Sequence, residues 1–335
     1  MTSDRTHRSR TVALLIALLL LMSGVALLGS SGAASAKRST AEPATSSLRI
    51  VTYNVSADVK VQRTIDDLTS IITNQAPDII SLQEMSSWER RQAVRASFVD
   101  CEGCLYDTYM PTAAVPGGQP ILFRRDKYTV LGSGMRKVTE DTYVGDRGAG
   151  PSTIHAKWIT WVYLRDLATG RQVYVLNNHF VPTVQAPSGG TNNQTRRLSI
   201  YRKNMQGLVA LIQEIQSTTG GLVFVTGDFN VNYRGDVVAK APIFPYVALG
   251  SIGVTSSYQN VYVPETGTHI LDNGYDKRLI DYVFSLKRRA MSSDALQILM
   301  GLSSDHRPLV SDFTLYGKGC FQKHVNTCTT PPPTQ

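Results

Sequence analysis

Strands alternating with helices predict an α/β fold, and three observations carry that expectation. The runs 48–55 (LRIVTYNV), 78–85 (DIISLQEM), 171–180 (RQVYVLNNHF) and 221–230 (GLVFVTGDFN) are apolar and β-branched, as buried strands are. Stretches of helical spacing lie between them: Ile65, Leu68, Ile71 and Ile72, then Leu198, Tyr201, Met205, Leu208, Ile212 and Ile215. No internal repeat and no second linker interrupts residues 48 to 316, so one domain is expected there.

Taken in order, the strand at 48–55 is followed by a helix that ends before Pro77, then by the strand at 78–85. Residues 121–131 (ILFRRDKYTVL) alternate well enough for a strand. Residues 155–166 and 171–180 read as a hairpin with Gly170 in the turn. A helix from about Thr195 to Gln216 leads to the strand at 221–230. The last strands are 279–285 (LIDYVFS) and 308–316 (PLVSDFTLY).

Composition excludes several classes. The chain has 335 residues, 42% hydrophobic and 18% charged, which is too apolar for a disordered chain. Four cysteines in this length exclude a small disulfide scaffold. A net charge of +8 fits a polyanionic partner, a nucleic acid or an anionic lipid surface.

The N-terminus reads as an address. Arg5, His7, Arg8 and Arg10 precede an apolar run from Val12 to Leu28, and Ala34-Ser35-Ala36 has the form of a signal peptidase site. Residues 1–36 are therefore expected to be a signal peptide and the protein to be secreted, with an uncleaved anchor as the rival reading. Losing three arginines and one aspartate with that segment leaves +6. Residues 37–47 read as a flexible leader and 317–335 as a tail. Export permits disulfides. Three pairings of four cysteines are open, and closeness in sequence favours Cys101–Cys104 and Cys320–Cys328 over a zinc site at CEGC.

The chemical signal lies at the strand ends. Asn54, Glu84, His179, Asp228 and Asn230 each follow an apolar run, and Asp305 and His306 precede the last one. Each alone has a bland reading as a turn, cap or surface residue. Together they are how a rigid sheet presents polar groups to a cleft.

TYN (52–54), LQE (82–84), NNH (177–179), GDFN (227–230), IDYV (280–283) and SDH (304–306) resemble, in order, the motif set of the endonuclease/exonuclease/phosphatase superfamily. The resemblance implies a four-layer α/β sandwich of the deoxyribonuclease I-like kind, with two mixed β-sheets face to face and helices outside. It implies phosphate-ester hydrolysis assisted by Mg²⁺, with Mn²⁺ or Ca²⁺ as alternatives. It casts Glu84 as principal metal ligand with Asn54 beside it and Asp305 as a further acid at the metal or water. Asp228 would orient or deprotonate water, and Asn230 would contact the phosphate or metal. His306, oriented by Asp281, would touch the scissile phosphate, and His179 matches a second catalytic histidine.

The chemistry agrees with that cast. Mg²⁺ takes oxygen ligands and keeps several waters, so one or two carboxylates suffice. Charge building on phosphorane oxygens needs a metal and donors, and imidazole suits proton transfer to a leaving alkoxide. His155, His269 and His324 lie outside the motif set. Trp158 and Trp161 read as packing residues, and Arg124, Arg125 and Lys127 as a solvated strand edge rather than a phosphate track.

The expected function is an extracellular endonuclease acting on DNA as a monomer without an obligate protein partner. The alternative is a sphingomyelinase-like lipid phosphodiesterase working on a phospholipid membrane. The apolar stretch 241–263 would serve that alternative, although a buried loop and strand is the simpler reading. A non-catalytic binding member would have lost a catalytic residue, and none is missing.

Overall fold

In a computed structural model the described residues are 45–317, apart from 114, 116–118, 147–149, 272 and 287–288. The expected signal peptide, most of the leader and the cysteines Cys320 and Cys328 lie outside them.

The first sheet builds on β1 (Thr45–Asn54), which pairs in parallel with β2 (Ile79–Gln83). Around this pair stand β3 (Tyr106–Tyr109), β4 (Ile121–Arg124), β13 (Met291–Ile298) and β14 (Leu309–Tyr316), in the order β13-β14-β1-β2-β4-β3. The second sheet builds on β9 (Gln172–His179) and β10 (Leu222–Asp228), again parallel. It is completed by β5 (Tyr128–Thr139), β8 (Lys157–Asp166), β11 (Val254–Ser256) and β12 (Asp281–Leu286), in the order β11-β12-β10-β9-β8-β5. Both sheets are mixed, as the resemblance implied.

The period of two along each strand sorts its side chains into layers. In β1, Leu48 and Ile50 enter the core between the sheets, whereas Val51 and Tyr53 face α1 (Val61–Gln75) and α2 (Trp88–Phe98). The sheets meet in contacts such as Phe224 against Phe313, centroids 4.8 Å apart and edge to face. Fully burying such a ring contributes roughly 1.5–3 kcal/mol. α3 (Thr195–Thr218) closes the second sheet, burying Tyr201, Leu208, Leu211 and Ile212. It packs tightly on β5: a Cβ added at Gly207 would stand 2.5 Å from Val138 Cγ1.

Several elements differ from the sequence expectation. β1 begins at Thr45, not 48, because residues 45–47 extend the ladder with β14 as far as Tyr316. The run 121–131 is not one strand. Arg124 turns onto Asp126 in a bidentate pair, and β5 starts afresh at Tyr128. β6 (Thr142–Asp146) and β7 (Gly150–Ile154) form an additional hairpin between β5 and β8. After α4 (Tyr233–Ala239), the stretch 241–263 forms α5 (Pro245–Gly250), β11 and α6 (Ser257–Asn260), with Phe244, Leu249, Val254 and Tyr258 buried. It offers no apolar hairpin to a membrane. No helix among the described residues is long and apolar enough to cross a membrane.

Arg124, Arg125 and Lys127 are structural. Lys127 binds Asp78 at 2.7 Å, and Arg125 donates to the carbonyls of Val99 and Tyr106. Asp78 enters β2 at the end opposite Glu84, so these cations sit away from the strand ends that carry the polar motifs. Trp161 packs on Tyr174, centroids 6.2 Å apart, as expected of a packing residue. Cys101 and Cys104 are disulfide-bonded.

Candidate active site

The parallel strands β1, β2, β9 and β10 all run toward one edge, where ligands of open α/β sheets bind. Register brings the motifs together there. Asn54 lies beside Gln83 across β1 and β2, and Asp228 lies between His179 on β9 and Asp281 on β12. Strand parity aims them inward. Ile50, Thr52 and Asn54 share the face of β1 that looks toward the second sheet, and Phe224, Thr226 and Asp228 share the answering face of β10.

Glu84 reaches the site by breaking that parity. Alternation would send it to the helix side with Ile80 and Leu82, but its φ of 58° turns the chain and Oε1 comes within 3.1 Å of Asn54 Nδ2. The Ala57 N–H donates to Oε2 at 2.7 Å. The loop that supplies it is held by the Arg90 guanidinium, which donates to the carbonyls of Ser56, Ala57 and Val59. A buried amide layer fixes the two sheets below the site. Gln83 Nε2 donates to Asn177 Oδ1 at 2.7 Å, and Asn177 Nδ2 donates to Leu82 O at 2.9 Å.

The site converges on one oxygen, Asp228 Oδ2. Asn54 Nδ2 and Asn230 Nδ2 both donate to it at 3.2 Å. His179 Nε2 stands 3.5 Å from it and His306 Nε2 3.8 Å. Behind His306, Asp281 Oδ2 is 2.9 Å from Nδ1, so Nε2 faces Asp228. His179 Nε2 is also 3.9 Å from Glu84 Oε1. The turn bearing His306 is anchored by Ser304 Oγ, which donates to Asn54 O at 2.8 Å, and by Ser303 Oγ on Asp67 at 3.0 Å.

Burial and charge set the protonation states. Burial, together with repulsion from Asp281, raises the Asp228 carboxyl to about 7. Burial is the largest influence on His306 and opposes its charge. The hydrogen bond and charge of Asp281, with Asp228 and Asp305, outweigh it and raise the imidazole to about 9. Burial, with the charges of Lys157 and His306, lowers His179 well below the usual histidine range.

Motif reading missed two residues. Lys157 opens β8 close enough to feel Asp228 and Glu84, and burial lowers its ammonium to about 8. No sequence signal separates it from an ordinary strand-edge lysine. His269 stacks edge to face on His306 with centroids 4.6 Å apart. Burial, followed by the charges of His306 and Arg278, lowers it to about 4. Its loop carries no motif, and only long-range pairing brings it here. His155 is exposed beside Asp141, and His324 lies outside the described residues.

The expected metal ligands are gathered in part. Asn54 and Glu84 meet, but Asn54 turns its Nδ2 to the carboxylates and gives Oδ1 to the Ser56 N–H at 3.0 Å. Here it braces the acids. Asp305 is exposed at the rim, with Ser304 Oγ 3.3 Å from Oδ1 and His269 Nε2 3.7 Å from Oδ2. Among the described residues, ligating atoms of Asp228, Asp281 and His306, and of His269, Asp305 and His306, lie within 4.8 Å of one another, and Glu84 joins Asp228 at His179 Nε2, so carboxylate oxygens suited to a hard divalent cation are at hand. The residues expected to be catalytic, His179, Asp228, Asn230, Asp281 and His306, lie together around Asp228.

Comparison with known proteins agrees with this architecture. The sequence model of the Endonuclease/Exonuclease/phosphatase family matches residues 51–306. A family protein from Bacteroides thetaiotaomicron superposes with a TM-score of 0.58 at 15% identity, over 82% of this chain and 96% of that one. The mannosyl-6-phosphatase of the same organism gives 0.56 at 13%, over 79% and 99%. TDP2 of D. rerio, complexed with a single-strand DNA product, gives 0.56 at 16%, over 80% and 99%. These likenesses show the shared fold. No curated protein sequence matches. Members of the matched family are hydrolases of phosphoester bonds, and this chain belongs to the endonuclease/exonuclease/phosphatase family.

Proposed function

We propose that this chain is an exported, divalent-metal-dependent phosphodiesterase with DNA as its substrate. The observation that carries the reading is the convergence of two imidazoles with opposite protonation tendencies on Asp228, His306 raised to about 9 and His179 lowered. A diester needs a proton removed from water and one given to the leaving oxygen. His306, backed by Asp281, is the donor to the leaving oxygen. Asp228, with a carboxyl near 7, takes the proton of the attacking water. His179 stays neutral and donates a hydrogen bond to a phosphate oxygen, and Lys157 offsets the phosphate charge. Glu84, with Asp305, would hold the divalent ion, which supplies Lewis-acid neutralisation of the phosphate.

The positive balance of the sequence and the DNA-bound relative of the same fold support DNA. The burial of Phe244, Leu249, Val254 and Tyr258 within 241–263 weighs against a lipid, and only Tyr262 and Val263 of that stretch stand exposed as large apolar side chains. The test is the purified protein with Mg²⁺ on supercoiled plasmid, sphingomyelin vesicles and a sugar 6-phosphate. Chelator-sensitive nicking of plasmid alone is expected. Headgroup release, or phosphate release from the sugar, with intact plasmid would refute the DNA assignment.

A further inference from the structure

His269 sits between the segment leading to Asp281 and the turn carrying His306. Its N–H donates to Arg278 O at 3.2 Å, and the next residue, Ile270, donates to Asp305 O at 2.9 Å. The preceding Thr268 accepts on Oγ1 from the N–H groups of Ile280 and Asp281, at 3.1 and 3.2 Å. One short segment therefore locks the strand carrying Asp281 to the turn carrying Asp305 and His306. The ring is fixed as well. Arg278 Nη1 lies 3.3 Å from Nδ1. A guanidinium has donors only, so Nδ1 accepts and the ring proton sits on Nε2.

That tautomer decides between two roles. Ligating atoms of His269, Asp305 and His306 lie within 4.8 Å of one another, a spacing a nitrogen-bound cation could use. A protonated Nε2 has no lone pair to offer, and a guanidinium behind the ring repels a cation. An N–H 3.7 Å from a carboxylate oxygen is instead a donor one small rotation short of a hydrogen bond. Asp305 needs one. Its carboxylate is exposed and, among the described residues, otherwise accepts only from Ser304 Oγ, so its freedom must be frozen whenever it takes a ligand.

We propose that His269, held as the Nε2–H tautomer by Arg278, is a positioning residue that steers the Asp305 carboxylate toward the divalent ion of the site. This rests on the metal reading of Glu84 and Asp305 given above. Outer partners of metal ligands are worth 10–100-fold in metal affinity, and roughly that loss is expected here.

The test is calorimetric titration of the chelator-treated protein with Mn²⁺, alongside thermal melting and kcat at saturating Mn²⁺. His269→Phe keeps a ring against His306 but has no N–H, whereas His269→Gln places an N–H near the position of Nε2. Arg278→Met releases the tautomer and leaves the ring. His269→Phe should weaken Mn²⁺ binding roughly 10–100-fold with little change in kcat at saturation. His269→Gln should restore most of the affinity, and Arg278→Met should weaken it in the same direction. Unchanged affinity in His269→Phe and Arg278→Met, with binding lost in Glu84→Gln, overturns the positioning role alone. So does a loss that His269→Gln does not rescue. Wild-type affinity in Glu84→Gln overturns the metal reading beneath it.

Discussion

Asp281→Asn removes the charge behind His306 while keeping the size of the side chain. Asp281 and His306 are both buried, 2.9 Å apart, and with Asp228 and Asp305 the aspartate lifts His306 from 6.5 to about 9 against the effect of burial. At 1.36 kcal/mol per pH unit, that rise corresponds to roughly 3 kcal/mol favouring the imidazolium. The folded value exceeds the unfolded one, so this stability is present in full below pH 6.5 and is lost as pH rises through about 9. In the variant, burial acts with less opposition and His306 titrates below 9, although Asp228 and Asp305 still raise it. The protonated fraction at neutral and alkaline pH then falls, and kcat falls with it. Complete loss of the donor would cost roughly 10²–10⁴-fold. The assay is kcat/KM against pH on a chromogenic phosphodiester, paired with urea unfolding in chelator at pH 6 and pH 9.5. The variant should lose activity at lower pH than the native protein, and its stability deficit should shrink as pH rises. An unchanged alkaline limb with a deficit independent of pH would refute the reasoning.

Glu84→Gln should raise the Mg²⁺ concentration for half-maximal activity by about tenfold or more, because it removes a carboxylate from a hard-cation site; a metal titration of turnover checks it. Gly227→Ala should destabilise the fold by at least ~1–3 kcal/mol. Gly227 has φ 137°, and an added Cβ would overlap Asn178 O, which would also displace Asp228; melting and turnover should fall together. Asp236 is fully buried, accepts from the Tyr246 N–H at 2.8 Å, and is raised by burial to about 7. The folded state therefore holds its proton longer than the unfolded chain, and stability falls as pH rises from about 4 to about 7. Asp236→Asn, which keeps the acceptor, should flatten that slope by up to roughly 4 kcal/mol in a pH series of denaturant melts.

The inward set was legible because strands have a period of two. Ile50-Val51-Thr52-Tyr53-Asn54 alternates between core faces, so an apolar strand ending in Asn already aims the amide between the sheets. The same holds for Phe224 through Asp228. Contacts set by irregular backbone were not legible. Glu84 depends on a left-handed turn, His269 on pairing with Arg278 and His306, and Lys157 on where its strand begins relative to Asp228 and Glu84. The break at 124–127 is hidden in the sequence because apolar ILF and YTVL flank the four charged residues RRDK, while the pairing of Arg124 with Asp126 makes them a turn. Asn54, expected as a metal ligand, lies beside Glu84, but the direction of its amide depends on the Ser56 N–H, which takes its Oδ1.

The left-handed backbone at Glu84 and Asn230, φ 58° and 55°, has a consequence for the protein under selection. Non-glycine residues held there cost about 1–3 kcal/mol each, and glycine would relieve much of it. Sturdiness and turnover therefore pull in opposite directions at these two positions. A library screened for heat resistance alone would drift toward glycine at Glu84 and Asn230, giving a tougher molecule with an emptied cleft.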